Sequence, residues 1–372
     1  MRIAVSGMVA GDPHQGGASW AVLQYVLGLR RLGHEVLLVE PADGADLRGS
    51  ESAAYLAAVA ARFGLEQATL VDPAGESAPI PSSRLRELMA DVELLLNVSG
   101  MLAVPELLES VPVRAYLDLD PFFNQHWHLQ GADMRFAAHT HFVTVAAGIG
   151  GPENEVPTLG HEWIETLPPV VLEEWAPAPE PPSLPFTTIG HWRSYGPIEH
   201  EGRRYGQRAH SLRELIELPR QTQAEFLLAL GIHEDERADL EALGQHGWRL
   251  ADPAEVAATP DRYREFVRAS QAEIGVAKEG YVRSRSGWFS DRSACYLACG
   301  RPVVAQDTGF GRSLPVGEGL LAFGTVAEAA TAVEDVLARP QEHARAARAI
   351  AEDLLDSDRV LGRLLDRLGA SG

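Results

Sequence analysis

The stretch that decides the fold is residues 273–311, which read EIGVAKEGYVRSRSGWFSDRSACYLACGRPVVAQDTGFG. The apolar residues Ile274–Ala277 predict a buried strand that is followed by a polar loop. Ser290-Asp291 is typical of a helix start, and Gly300 is typical of a helix stop. A second apolar run, Pro302–Ala305, then predicts another buried strand. This order of strand, helix and strand predicts a parallel βαβ unit.

Outward from this stretch, the same alternation fills both halves of the chain, which has 372 residues and is long enough for two domains. Residues 174–185 are rich in proline, as expected of a connection between domains. We predict an α/β fold of two doubly wound Rossmann-like domains, residues 1–173 and 186–372, which face an interdomain cleft. The sequence leaves open whether the last helix packs back on the first domain. Strand patterns lie at Arg2–Ser6, Glu35–Val39, Ala68–Val71, Glu93–Val98, Val113–Leu117, Phe142–Val145, Phe186–Gly190, Phe226–Gly231 and Trp248–Ala251.

Net charge, cysteine content and the length of apolar runs limit the classes of protein to which the chain can belong. The formal net charge of −20 argues against nucleic acid as a partner, because phosphate contacts need a basic face. Cys295 and Cys299, four residues apart on one predicted helix, fit buried free thiols in a reducing compartment. No apolar run approaches the ~20 residues that span a bilayer, so we expect a cytoplasmic protein without a transmembrane segment. The oligomeric state stays open.

Lys278 is the single lysine among 32 lysine and arginine residues, and it follows a predicted strand directly. Cations, hydroxyls and a helix start come after it, and together they predict an anion site suited to a diphosphate. Asp291 serves either as the helix cap alone or also as an acceptor for a ribose hydroxyl. The predicted donor-binding residues of this stretch are Lys278, Arg285, Ser286, Ser290, Asp291 and Arg292.

Two other loops of the C-terminal half follow predicted strands, where ligands of doubly wound sheets bind. Arg193 could bind a phosphate, with its aromatic neighbours stacking on a base or a sugar, and a plain surface turn fits equally well. Asp307, Thr308 and Gly309 end the next strand and are predicted to reach sugar hydroxyls.

The first loop of the chain, residues 7–17, has no GxGxxG pattern, which weakens the case for a nicotinamide dehydrogenase. Gly16 and Gly17 stand before a predicted helix and would let backbone N–H groups approach a ligand closely. His14 is suited to accept a proton near neutral pH, and Asp12 could do the same work or orient it. The alternative for His14 is an exposed loop histidine.

Asp118 and Asp120 resemble a metal-binding DxD pair, but on an extended strand they would point to opposite faces. A strand-end cap or a wall of an acceptor pocket is the better interpretation. The following residues, 122–128, read FFNQHWH and predict a packed aromatic helix rather than an acceptor pocket. Since no HExxH or comparable spacing occurs in the sequence, we predict no metal site.

Residues 290–311, SDRSACYLACGRPVVAQDTGFG, resemble the donor-binding element that GT-B nucleotide-sugar glycosyltransferases write as E-A-x-A-x-G-x-P-V-V. The likeness extends over nearly the full length and is strongest to a bacterial branch with similar WRSYG, SGWFSDR and GRPVVAQDTGF segments. It implies transfer of a sugar from a nucleoside diphosphate to a small-molecule or envelope-glycan hydroxyl, with no obligatory metal and no cofactor beyond the donor. In an inverting member, His14 or Asp12 would be the base, and Lys278, Arg193 or Arg285 would stabilise the departing diphosphate.

The chain departs from this pattern at two places. The ribose-binding glutamate of the family falls on Cys295, so that role would pass to Asp291. The glutamate that often follows the PVV strand is missing from residues 310–313. Two other functions share the architecture and stay open: a nucleotide-sugar 2-epimerase and a non-catalytic nucleotide-sugar-binding protein.

Overall fold

A computed structural model of the chain describes residues 1–42, 46–177 and 181–370. The strands are β1 Arg2–Ser6, β2 Glu35–Pro41, β3 Ala68–Val71, β4 Ser77–Ala78, β5 Leu94–Val98, β6 Val113–Asp118, β7 His141–Thr144, β8 Trp163–Glu165, β9 Leu184–His191, β10 Ile198–His200, β11 Arg203–Tyr205, β12 Phe226–Gly231, β13 Trp248–Leu250, β14 Ser270–Gly275, β15 Val303–Gln306 and β16 Leu320–Phe323.

The α-helices are α1 Gly16–Arg31, α2 Glu51–Phe63, α3 Ser82–Ala90, α4 Pro105–Glu109, α5 Phe123–Leu129, α6 Arg208–Glu214, α7 Arg237–Gln245, α8 Pro253–Val256, α9 Pro260–Ala269, α10 Glu279–Arg283, α11 Asp291–Ala298, α12 Val326–Ala338, α13 Pro340–Ile350 and α14 Ser357–Arg367. Short 3₁₀ turns lie at Phe136–Ala138, Leu218–Arg220 and Phe310–Arg312, and a π-helical turn lies at Ala351–Leu355.

The strands form two large sheets, one in the N-terminal half (residues up to 177) and one in the C-terminal half (from 181). The first has the order β4-β3-β2-β1-β5-β6-β7-β8 and is parallel except for β4. The second has the order β13-β12-β9-β14-β15-β16 and is parallel throughout. In each sheet the strands that follow the first one in the chain lie on one side of it and the later ones on the other. The switch point is between β1 and β5 in the first sheet and between β9 and β14 in the second. The predicted α/β class with two doubly wound sheets is confirmed.

Several local predictions differ from the structure. The segment after Lys278 is helical over Glu279–Arg283 rather than a continuous loop. The strand predicted at Ile274–Ala277 runs instead over Ser270–Gly275. The aromatic run does form a packed helix, since Phe123 and its neighbours in α5 are buried. Residues 178–180 of the predicted linker and the last two residues of the predicted second domain lie outside the described residues.

Helix α1 holds the two halves together because it is buried on several sides. Trp20 packs edge-on against Trp175, with ring centroids 4.9 Å apart, and donates its indole N–H to the Pro260 carbonyl oxygen at 2.8 Å. On another side, α14 packs along it so closely that a Cβ on Gly28 would lie 2.5 Å from Leu361. The last helix thus covers the N-terminal half.

The chain passes between the halves a second time just before α14. Val170 donates its backbone N–H to the Leu355 carbonyl at 2.7 Å and accepts the Ser357 N–H at 2.9 Å. The two connecting segments are therefore fastened to each other. Among the described residues, no helix has both the length and the apolar character needed to cross a membrane.

Candidate functional site

The ends of β9 and β14 bring the single lysine to the boundary between the halves. The Lys278 ammonium lies 3.0 Å from Oδ2 of Asp120, which belongs to the N-terminal half, and it also donates to the hydroxyl of Tyr195. Tyr195 donates to Asp120 Oδ2 at 2.5 Å, and Tyr281 donates to Oδ1 of the same carboxylate. One carboxylate from one half is thus held by three donors from the other.

Aromatic rings enclose this contact. The Lys278 nitrogen lies 4.3 Å from the centroid of the Tyr195 ring, 5.2 Å from that of Phe123 and 5.3 Å from that of Tyr281, within the range of cation–π attraction. Burial lowers the pKa of Lys278, and the charge of Asp120 acts in the opposite direction. The lysine therefore sits in a shielded place where an anion interacts strongly with it.

Arg208 is a second cation of this region, and sequence reasoning missed it. The side chain is 8 % exposed and donates to the carbonyl oxygens of His191 at 2.7 Å and Val276 at 2.9 Å. Burial lowers the pKa of Arg208 to about 10. Gly190 makes room for it, since a Cβ there would lie 2.5 Å from Nη1. Within the described part of the chain, no carboxylate lies within 4.0 Å of this guanidinium, an unusual state for a buried charge.

The other predicted phosphate-binding arginines have partners of their own. Arg292 lies beneath the same strand ends but is buried in an ion pair with Glu273, at 2.5 Å. Arg193 pairs with Glu236, and Arg285 lies 3.9 Å from Glu153. The structure therefore pairs Arg292 with a buried carboxylate and turns Arg193 and Arg285 toward other carboxylates.

The predicted serines make local contacts. The Ser286 hydroxyl donates to the Tyr281 carbonyl at 3.3 Å. Ser290 is the N-cap of α11, where its oxygen accepts the Arg292 N–H at 3.2 Å. Both are buried, so neither hydroxyl is presented to solvent.

Asp291 lies at the first position of α11 and faces the N-terminal half. It borders a cavity of about 20 Å³ between Gln24 and Tyr25 of α1 and Trp288 of the C-terminal half. Burial raises the pKa of Asp291. The buried Tyr25 hydroxyl has no partner among the described residues, so the cavity has a carboxyl and a free phenol in its wall.

Asp307, Thr308 and Gly309 form a closed turn after β15. The Asp307 carboxylate accepts the Gly309 N–H at 2.7 Å, and Thr308 donates to the Trp288 carbonyl at 2.5 Å. Gly309 has a φ of 93°, which favours glycine. The polar groups of this turn are used mainly to hold its own shape.

At the start of α1 the close approach predicted for the glycines exists, but the approaching group is protein. The Gly16 N–H donates to the Ala257 carbonyl at 2.8 Å, and a Cβ on Gly16 would lie 2.4 Å from the Thr259 carbonyl oxygen. A Cβ on Gly17 would lie 2.9 Å from the Tyr263 ring. Segments of the C-terminal half occupy the place that was predicted for a ligand.

The two predicted bases have different surroundings. His14 lies 2.8 Å from Glu51 and against the ring of Tyr55, so it faces α2. Asp12 is exposed. Burial lowers the pKa of His191 at the end of β9, and the charge of Asp12 acts in the opposite direction. Of the two, Asp12 is the one whose charge acts on the C-terminal half.

Asp118 and Asp120 have different environments. Asp118 is fully buried and accepts hydrogen bonds from the side chains of Asn124 and Gln125, both at 2.7 Å, so it caps the end of β6. Burial raises the pKa of Asp118 to about 6. In the same loop, the buried Phe122 has a φ of 79°, a strained value of the kind found at functional sites. Sequence reasoning missed Asp120 as the partner of Lys278 because the two are 158 positions apart.

In the described ranges, no group of three or more His, Cys, Asp or Glu side chains is arranged to hold a metal ion.

Comparison with known proteins shows which proteins the chain is similar to. Residues 220–364 match the model of a glycosyl transferase-like family. The structure is similar to HepE of Anabaena, solved with UDP-glucose, at 13 % identity and a TM-score of 0.62 over 100 % of both chains. It is also similar to an alpha-glucosyltransferase solved with UDP-glucose and DNA, at 12 % identity and 0.61 over 99 % of both chains. A third likeness is to sucrose-phosphate synthase of Thermosynechococcus elongatus, at 13 % and 0.56 over 100 % of both chains. No curated protein matches the sequence.

Proposed function

We propose that this chain, a glycosyltransferase by its family match and of GT-B architecture by its fold, takes its sugar from a nucleoside-diphosphate donor. The acceptor is a hydroxyl of a small molecule or an envelope glycan. The observation that carries the donor assignment is the pair of buried cations, Lys278 and Arg208, at the carboxyl ends of β9 and β14. That is the edge at which doubly wound sheets bind ligands.

The cations have a chemical task in this reaction. The bond between the anomeric carbon and the phosphate oxygen breaks, and its electrons pass to the leaving diphosphate. Lys278 and Arg208 lie in a shielded region where they stabilise that developing charge, which lowers the barrier as well as the dissociation constant. We propose that these protein cations make a metal unnecessary for donor binding.

The acceptor hydroxyl forms the new bond to the anomeric carbon and gives up its proton to a base. The proposed bases are His14 and Asp12. Asp12 is favoured because it is exposed and its charge acts on His191 at the end of β9, whereas His14 pairs with Glu51 of α2. Asp291 is proposed as the acceptor for a ribose hydroxyl, because its carboxyl lies at the first position of helix α11.

The choice of nucleotide rests on the structural neighbours. HepE and the alpha-glucosyltransferase were solved with UDP-glucose, so UDP is the first nucleotide to test. The GT-B fold alone does not fix the base, because function depends on the site rather than on the fold.

The test is thermal stability of the protein with UDP, TDP, GDP, ADP and CMP, each with EDTA and with Mg²⁺. One nucleoside diphosphate at 100 times its Kd should stabilise the fold by ~2.7 kcal/mol. Lys278→Ala should reduce this effect, while the exposed Arg262→Ala is the matched control and should not. Stabilisation by none of these nucleotides would contradict the donor assignment, and stabilisation only with Mg²⁺ would contradict metal independence.

A further inference from the structure

We propose that Lys278, Tyr195 and Tyr281 form an anion site that Asp120 occupies in the absence of donor, and that the diphosphate of the donor displaces this carboxylate. The inference rests on the proposed function, since it concerns how that same site is filled. It adds a residue from the opposite half, Asp120, as a built-in competitor of the donor.

The groups of this contact come from both halves of the chain. All three hydrogen-bond donors belong to the C-terminal half and converge on two oxygens of one carboxylate. The carboxylate comes from the N-terminal half, and among the described residues it is the one acidic group within 4.0 Å of Lys278. An ammonium and two phenol groups that point at one anion are the donor set that a phosphate oxygen also requires.

The cations beside this site are only partly paired. Lys278 pairs with Asp120 and Arg292 pairs with Glu273, whereas the buried Arg208 has no carboxylate within 4.0 Å among the described residues. Burial of a cation without a close counter-charge is unfavourable. Asp120 therefore pairs with Lys278 alone and leaves Arg208 unpaired. A diphosphate carries more negative charge and more acceptor oxygens, so it satisfies Lys278 and Arg208 together.

The contact between Lys278 and Asp120 joins the two halves of the chain. The side chains of Lys278 and Asp120 are 14 % and 22 % exposed, so their pair is shielded but reaches solvent. Asp120 comes from the loop that contains the strained Phe122, and its backbone N–H is held by Asp118 at 3.1 Å. Exchange of Asp120 for a ligand removes one contact between the halves without removing the Asp118 cap.

The experiment is calorimetric titration with UDP and, separately, with inorganic pyrophosphate. Asp120→Asn keeps the shape and removes the charge, so both ligands should bind about 10-fold more tightly or better than to the wild type. Glu155→Gln is the matched control. Glu155 is another carboxylate of the N-terminal half that pairs with an arginine of the C-terminal half, Arg203 at 3.4 Å, but it is 46 % exposed. Its substitution should leave both affinities unchanged.

A measurement on the wild-type protein covers the case in which Asp120→Asn does not fold. Because Lys278 is the only lysine, selectively ¹³C-labelled lysine gives a single Cε signal. Pyrophosphate should move that signal in a saturable way, and an immobile signal would overturn the exchange.

The outcomes separate the two proposals. If the wild type binds UDP and Asp120→Asn binds it no more tightly, the exchange is wrong and the donor site stands. Binding by Asp120→Asn alone supports the exchange. If neither protein binds UDP or pyrophosphate, both proposals fail.

Discussion

Glu40 is a buried acid whose ionisation should set the pH dependence of stability. It lies near the end of β2 with no exposed surface, and its Oε1 accepts backbone N–H groups of the first loop, from Val9 and from Gly11 at 3.4 Å. Burial raises the pKa of Glu40 from 4.5 to about 8, although the loop N–H groups act to lower it. Glu40→Gln retains the shape and the acceptor oxygen but cannot ionise.

The size of the effect follows from the difference between the folded and unfolded pKa. In the unfolded chain Glu40 ionises above pH 4.5, whereas in the folded protein it stays protonated until about pH 8. Stability contributed by the protonated acid is therefore complete below pH 4.5 and lost as the pH rises through 8. The loss is about 1.36 kcal/mol per pH unit within this window, hence about 3 kcal/mol between pH 5.5 and 7.5.

The assay is urea unfolding of the wild type and of Glu40→Gln at pH 5.5, 6.5 and 7.5. The variant should gain stability relative to the wild type by about 3 kcal/mol across this range. Oε2 of Glu40 has no partner among the described residues, so the amide of Glu40→Gln places unpaired N–H groups there. That cost is the same at each pH and does not change the trend. The exposed Glu66→Gln is the control and should show no such trend. A constant difference between Glu40→Gln and the wild type would refute the reasoning.

Two further variants test contacts described above. Arg292→Met leaves Glu273 buried without its counter-charge and should lower the free energy of unfolding by ~3–5 kcal/mol in urea titrations, with recovery when Glu273→Met is added. A loss below ~1 kcal/mol would contradict this account of the pair. Gly16→Ala should destabilise by ~1–3 kcal/mol in the same assay, because its Cβ would meet the Thr259 carbonyl oxygen. In Gly244→Ala the new Cβ has open space, so equal effects of the two substitutions would contradict the close approach.

The two sheets could be predicted from the sequence because their strands are short apolar runs bounded by turns. The hairpin β10–β11 and the edge strands β8 and β16 escaped prediction, since runs of three or four residues give little pattern. Gly16 and Gly17 did indicate a close backbone approach, but periodicity cannot say whether the partner is a ligand or a distant segment.

The candidate site was predictable only in part. Lys278 was visible because it is the single lysine, and its position after a strand placed it at the ligand-binding edge. Its partner Asp120 and its neighbour Arg208 were not, because their roles arise from contacts between segments far apart in the chain. Gly190 offered a weak signal for Arg208, as a glycine at a strand end that leaves space for a side chain.

The joined connections at Val170 have a mechanical consequence. A single flexible tether would let the halves swing in any direction, whereas two segments bonded side by side act as a pivot with a defined axis. We therefore expect a movement of the halves to be a rotation about the neighbourhood of Val170 and Leu355. Helix α14 packs on α1 and would move with it. A fragment that ends before residue 351 would lack both the second connecting segment at Leu355 and the helix that covers α1.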